Sequence, residues 1–167
     1  MESLYIIPDC NNIDKSIEIA EKYNACFEYN DFFKPELFDN KQKIDGLIKM
    51  YSSIRGEKSN ADTLHGAFID ITVFSRDRQI REISIKRVLQ SLEIATLLNC
   101  KAVIFHTNFI PDFLIGSYYS KWVEENTIFW SGIIKQFPSI KIFIENMFDY
   151  SPKMLSLLAK AMKNENR

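Results

Sequence analysis

Five times along this chain a short apolar stretch precedes a longer segment whose apolar residues recur every three or four positions. The short stretches are Leu4–Ile7, Ala25–Tyr29, Thr63 to about Phe68, Ala102–Phe105 within Lys101–Asn108, and Ile140–Ile144. They are rich in β-branched and aromatic residues and bounded by polar or turn-forming ones, which predicts strands. Ala102–Phe105 runs without a polar break, the pattern of a strand buried on both faces. Between the strands, Ile13, Ile17, Ala20 and Tyr23 share one helical face behind a cap at Asn11 or Asn12. Ile44, Leu47, Ile48, Tyr51 and Ile54 do the same over Lys41–Arg55. Ile85, Val88, Leu89, Leu92 and Ala95 stripe a helix from about Arg81 to Leu98. Tyr119, Trp122, Val123, Trp130, Ile133, Ile134 and Phe137 predict a fourth helix, with these residues inward and Pro138 as its stop. Ser151-Pro152 opens a fifth, with Leu155, Leu158, Ala159 and Met162 on the buried face. Asn24, Gly56 and Asn99 stand at helix ends, where a left-handed residue is the usual stop. Loops are expected at 30–40 (with a turn at Pro35-Glu-Leu-Phe38), 57–61 and 70–77, the last placed to fold over the strand ends.

Regular alternation of strand and helix predicts an α/β protein with a parallel sheet and right-handed crossovers. Gly46, Gly56, Gly66, Gly116 and Gly132 are isolated, so no glycine-rich phosphate loop follows a strand. That argues against a nucleotide-binding doubly wound sheet and for TIM-barrel-like repeats. A complete (β/α)8 barrel takes roughly 250 residues. The expectation is therefore a single domain, 1–167, forming an incomplete barrel of about five βα units, with about three units missing.

Composition narrows the function classes. Twenty-one basic and 22 acidic residues leave a net charge of -1, and no Lys/Arg run is long enough to track phosphates, which disfavours nucleic acid. The first residues show no basic region followed by an apolar core, and no stretch approaches the ~18 apolar residues of a membrane span. Cys10, Cys26 and Cys100 are odd in number and widely spaced, which reads as reduced thiols in a cytoplasmic protein.

The chemistry gathers at strand ends. His65 and His106 are the only histidines, and each ends a strand: His65 in Asp62-Thr-Leu-His-Gly66, His106 after Val103-Ile-Phe105. Glu145 ends the fifth strand in the same way. The three lie 41 and 39 residues apart, about one βα unit each, so parallel strands ending together would bring them to one rim. Imidazole binds metals and titrates near neutrality, and a carboxylate adds a hard oxygen ligand or a base. Ile142-Phe-Ile144 reads as a buried strand, and a carboxylate closing it needs a cation or several donors. Glu28 either lines the same pocket or faces outward, and Asn146 either orients Glu145, touches a hydroxyl or forms a turn. Asp9 and Asp70 read as loop and cap residues, and Trp122 and Trp130 as helix-packing core. Arg76-Asp-Arg78 with Arg81-Glu82 reads as a solvated helix start, the alternative being an anion clamp. Cys10 has no histidine in its own unit to activate it as a nucleophile.

Leu64-His-Gly-Ala-Phe68, the helix with Ser84-Ile-Lys-Arg-Val-Leu89 and Glu93-Ile-Ala-Thr-Leu-Leu-Asn99, Val103-Ile-Phe-His-Thr107 and Ile144-Glu-Asn146 together resemble the xylose isomerase-like TIM barrel superfamily. That group holds sugar and sugar-phosphate isomerases and epimerases together with endonuclease IV-like enzymes. The resemblance covers most of the chain. It implies a divalent metal ion (Mn, Mg, Co or Zn) with Glu145 as a ligand. His65 and His106 would be further ligands, as in the endonucleases, or pocket residues, as usually in the isomerases, and Glu145 and His106 would be the catalytic residues. His65, Glu28 and Asn146 would then hold a small sugar or sugar phosphate. The implied reaction is proton transfer beside a carbonyl through an enediolate. The family's remaining ligands come from strands six to eight, which this sequence lacks. The endonucleases' proline-glycine after the strand-four histidine is replaced by Thr107-Asn108, which favours the sugar branch over metal-dependent cleavage of abasic DNA. A third alternative is a non-catalytic half-barrel that associates, as a homo-oligomer or with a partner, through its open edge.

Overall fold

The computed structural model describes residues 3–113 and 116–165. Among these, five strands form one sheet: β1 (Tyr5–Ile6), β2 (Cys26–Tyr29), β3 (Thr63–His65), β4 (Ala102–His106) and β5 (Lys141–Glu145). They lie in the order β1-β2-β3-β4-β5, every neighbouring pair parallel. Each is followed by a helix: α1 (Ile13–Tyr23), α2 (Lys41–Arg55), α3 (Arg78–Leu97), α4 (Tyr118–Gln136) and α5 (Lys153–Glu165). Sequential strand order with a helix after each strand is the arrangement of a barrel in the making, open at β1 and β5.

Helix ends follow the local chemistry. Asn24, Gly56 and Asn99 all adopt positive φ, at 49°, 51° and 55°. Asp77 caps α3 by accepting from the Gln79 and Ile80 amides, so this helix starts three residues before the sequence pattern places it. Short 3-10 turns occupy Pro35–Asp39 and Gly56–Ala61, where the sequence suggests loops.

β3 is shorter than the run to Phe68 predicts. Gly66 still donates to the Ile104 carbonyl, but the Ala67 amide leaves the ladder for Ser91 Oγ at 3.0 Å. Gly66 sits flat against the Phe105 ring: a Cβ there would lie 2.3 Å from Phe105 Cε1. Only glycine permits that approach.

The core fills the helix side of the sheet. Phe27, Tyr29, Leu64, Val103 and Phe105 pack with Val88, Leu92, Ala95, Trp122 and Trp130. As expected from its unbroken apolar run, β4 is buried along Ala102–Phe105. Several helical expectations need correction. Tyr23, Tyr119 and Ile134 are exposed, and Ala159 faces solvent while Met154 and Leu158 anchor α5. In their place α3 buries Ser84, Arg87 and Ser91, and α4 buries Asn126, Thr127 and Ser131. Ser84, Ser91, Asn126 and Thr127 donate back to the carbonyl one turn earlier, which lets small polar residues occupy a packed face. β5 is an edge strand, so Ile142 and Ile144 are half-buried while Lys141, Phe143 and Glu145 are exposed.

Candidate metal centre

Parallel pairing makes the strand ends coincide. The register sets Glu28 beside Thr63, His65 beside Ile104, and His106 beside Glu145. Neighbours in register point to the same face, and successive residues alternate. Glu28, His65, His106 and Glu145 therefore share the face turned away from Tyr29, Leu64 and Phe105.

The two imidazoles touch. His106 Nε2 lies 3.1 Å from His65 Nε2, and His65 Nδ1 lies 3.2 Å from the Gly66 carbonyl oxygen. One donor atom each from His65, His106 and Glu145 fall within 4.8 Å of one another. Phe68, two residues past Gly66, walls the pair, its ring centroid 4.6 Å from His106 and 5.0 Å from His65. The loop carrying it is held over the rim by Asn108, whose amide donates to the Phe68 and Ile71 carbonyls. Sequence reasoning missed Phe68 as a site residue. The available signal was an aromatic residue directly after a strand-end His-Gly.

Glu28 reaches this rim electrostatically. Burial pushes its carboxyl above the usual value, the His65 charge opposes that, and Glu145 adds to it. Burial holds the His106 imidazole below its ordinary value, helped by His65 and opposed by Glu145 and Asp149. A neutral imidazole is the form that binds metal. Two nitrogens and a carboxylate make a donor set suited to zinc or a similar transition ion. Tetrahedral zinc at about 2.0–2.1 Å per bond sets two imidazole nitrogens about 3.3 Å apart, close to the spacing found here.

Asn146 lies at the surface, and its amide donates to the Asp149 carbonyl, closing the turn after β5. Asp9 accepts from the Asn11 amide as a cap, and Asp70 takes a left-handed turn position at φ 59°. Trp122 and Trp130 are core. Arg78 pairs with Glu82 at exposed positions and Arg81 with Glu125 at half-buried ones. Cys10 contacts Asp31 and Tyr51, and burial pushes its thiol up to about 11, the wrong direction for a nucleophile. The expectation that Glu145 closes a buried strand is corrected: β5 is the sheet edge, and the carboxylate is exposed.

No family model matches the chain. MJ1311, an uncharacterised protein of Methanocaldococcus jannaschii, is 24% identical over 127 residues, covering 71% of this chain and 43% of that protein. The TTHB071 protein from Thermus thermophilus, solved after soaking with ZnCl2, superposes with a TM-score of 0.67 at 16% identity. That match covers 98% of this chain and 63% of the other. A D-tagatose 3-epimerase-like protein gives a TM-score of 0.67 at 19% identity, over 95% of this chain and 60% of its own. The chain thus spans less than half of the curated relative and about six-tenths of the solved chains. What the likeness shows is the fold: an incomplete TIM-barrel-like α/β arrangement, with five βα units among the described residues.

Proposed function

We propose that this chain forms part of the active site of a metal-dependent sugar or sugar-phosphate isomerase or epimerase. The observation that carries the reading is the Nε2-to-Nε2 approach of His65 and His106 with Glu145 beside them, on the strand-end rim where α/β barrels do their chemistry. His65, His106 and Glu145 would hold the ion. Bound there, a divalent ion polarises carbonyl and hydroxyl oxygens of a substrate. Glu145 takes the proton beside the carbonyl. Glu28, whose carboxyl burial favours in the protonated form, bonds a substrate hydroxyl. Phe68 closes one side of the pocket against water.

The near-neutral charge supports a small polar substrate over nucleic acid. The three free cysteines suit a reducing compartment such as the cytoplasm. No helix among the described residues is long and apolar enough to cross a membrane.

Calorimetric titration of wild type and Glu145→Gln with Zn2+ and Mn2+ tests the ligand set. Weaker binding by at least about tenfold is expected in the variant, since it loses a charged ligand. Equal affinities would remove Glu145 from the site. Wild type that takes up neither ion would end the metal-dependent reading.

A further inference from the structure

β5 is the long free edge of the sheet. It pairs with β4 on one side and with no strand among the described residues on the other. Its ladder to β4 fixes which backbone groups are already used. The Lys141 amide donates to the Lys101 carbonyl, and the Glu145 carbonyl accepts from the Thr107 amide. Alternate residues of a strand bond to the same neighbour, so Lys141, Phe143 and Glu145 turn their backbone groups toward β4. Ile142 and Ile144 therefore present theirs to the open side. An unused row of this kind is a template for a further strand. β1, at the opposite edge, is only Tyr5–Ile6 and has no comparable row.

The side chains of β5 select which strand fits. Lys141, Phe143 and Glu145 share one face and are all exposed, Phe143 by 48%. Neither Lys141 nor Glu145 forms an ion pair among the described residues. The two charges are opposite in sign and stand at equal spacing either side of Phe143. Antiparallel pairing with a copy of the same strand, centred on Phe143, sets Lys141 opposite Glu145, Ile142 opposite Ile144, and Phe143 opposite Phe143. Within β5, any other antiparallel register sets Lys141 against itself or an apolar residue. The same centre puts Ile142 and Ile144, whose backbone groups are free, in the positions that exchange hydrogen bonds. Phe143 and the charged residues fall in the alternate positions, where facing side chains come closest. Charges on an edge strand commonly keep other chains away. Charges of one sign would repel a copy, whereas one of each sign about an aromatic centre attracts it.

We propose that two copies of this chain associate through antiparallel β5–β5 pairing centred on Phe143, joining two five-stranded sheets into one. The interface is isologous, with the same patch contributed by both copies. Each Lys141 meets the Glu145 of the second copy, so the ion pair occurs on both sides of the facing Phe143 rings. Glu145 is also a proposed ion ligand, and Lys141 of the second copy would compete with an ion for that carboxylate. Association is therefore measured with a chelator present, which makes its outcome independent of the zinc titration above.

Sedimentation velocity across a concentration series tests this on wild type, Lys141→Glu, Glu145→Lys and the double variant Lys141→Glu/Glu145→Lys. Wild type is expected to pass from monomer to dimer with a dissociation constant below about 1 mM. Each single variant sets like charges opposite each other in both pairs and should weaken association by about tenfold or more. The double variant restores opposite charges with the ends exchanged and should return to within about threefold of wild type. Both positions are exposed, so the monomer fold tolerates the changes. In wild type, amide exchange at Ile142 and Ile144 should slow as protein concentration rises, a measurement that needs no variant. Wild type that stays monomeric to about 1 mM overturns the proposal and leaves the edge to a different chain. A dimer that neither single variant weakens overturns it, as does a double variant no tighter than the single ones. Concentration-dependent protection confined to other elements overturns it as well.

Discussion

Asp62 stands just before β3 and His65 is its last residue, and their surroundings differ sharply. The Asp62 carboxylate is fully buried and fully occupied. It accepts from the Phe27 amide at 2.8 Å, the Tyr29 hydroxyl at 2.7 Å, and Arg55 Nε and Nη2 at 2.8 and 2.6 Å. The Arg55 guanidinium also stacks 4.3 Å from the Phe27 ring centroid. Burial and then Asp62 push the Tyr29 hydroxyl up, and its hydrogen bonds to Asp62 raise Arg55. At the other end, two imidazoles meet each other, and His106 Nδ1 and Asp149 Oδ2 go unpaired among the described residues. The first end is satisfied and holds β2, β3 and the end of α2 together. The second is left short of hydrogen-bond donors among the described residues. Barrel strands divide their labour along this axis, stability at the N-terminal end and chemistry at the C-terminal end.

The sharpest way to break the comparison is to remove one group from each end. Asp62→Ala leaves Arg55 as a buried unpaired cation and should cost about 3–5 kcal/mol in urea unfolding. His65→Ala in metal-free protein should cost less than about 2 kcal/mol, because no fully paired network is lost, while zinc binding disappears. Similar unfolding losses in the two variants would erase the distinction. Next in size is Gly66→Ala. The added methyl meets the buried Phe105 ring and should cost about 1–3 kcal/mol by overpacking, read as a lower denaturant midpoint with an unchanged slope. No loss would mean that Phe105 can move aside.

The smallest effect sharpens the rim itself. The Glu28 carboxyl is raised in the fold, so its contribution is fully present below the unfolded-state value near 4.5 and is lost as pH rises through the higher folded value. Metal-free Glu28→Gln should therefore melt slightly above wild type at pH 7, with the gap closing toward pH 4. A gap that widens on acidification would show that Glu28 is stabilised in its charged form.

The order of elements and the location of His65, His106 and Glu145 were legible because both follow from local rules. Apolar periodicity marks strands and helices, and a parallel βα repeat places each strand end about 40 residues from the last. The role of Asp62 was not legible. It stands in the same short motif as His65, yet its partners come from β2 and from Arg55 at the end of α2. Asp149 was equally silent, because the hydroxyl that donates to it belongs to Thr107, which is 42 residues away. The exposure of Glu145 was misread for a related reason. An apolar strand reads the same at the edge of a sheet as at its centre, and only its neighbours decide how much of it water reaches.

By itself, the sequence determined an α/β chain of five strand–helix units, the left-handed stops at Asn24 and Asn99, and a histidine or glutamate at three strand ends. These are set by backbone conformation and side-chain periodicity within a few residues. Tertiary structure alone decided that the two imidazoles meet nitrogen to nitrogen, that Phe68 folds over them, and that Asp62 is saturated while Asp149 is half-used. Those outcomes depend on register between strands far apart in the chain. A shift of one residue there would reverse every side chain without altering any local preference.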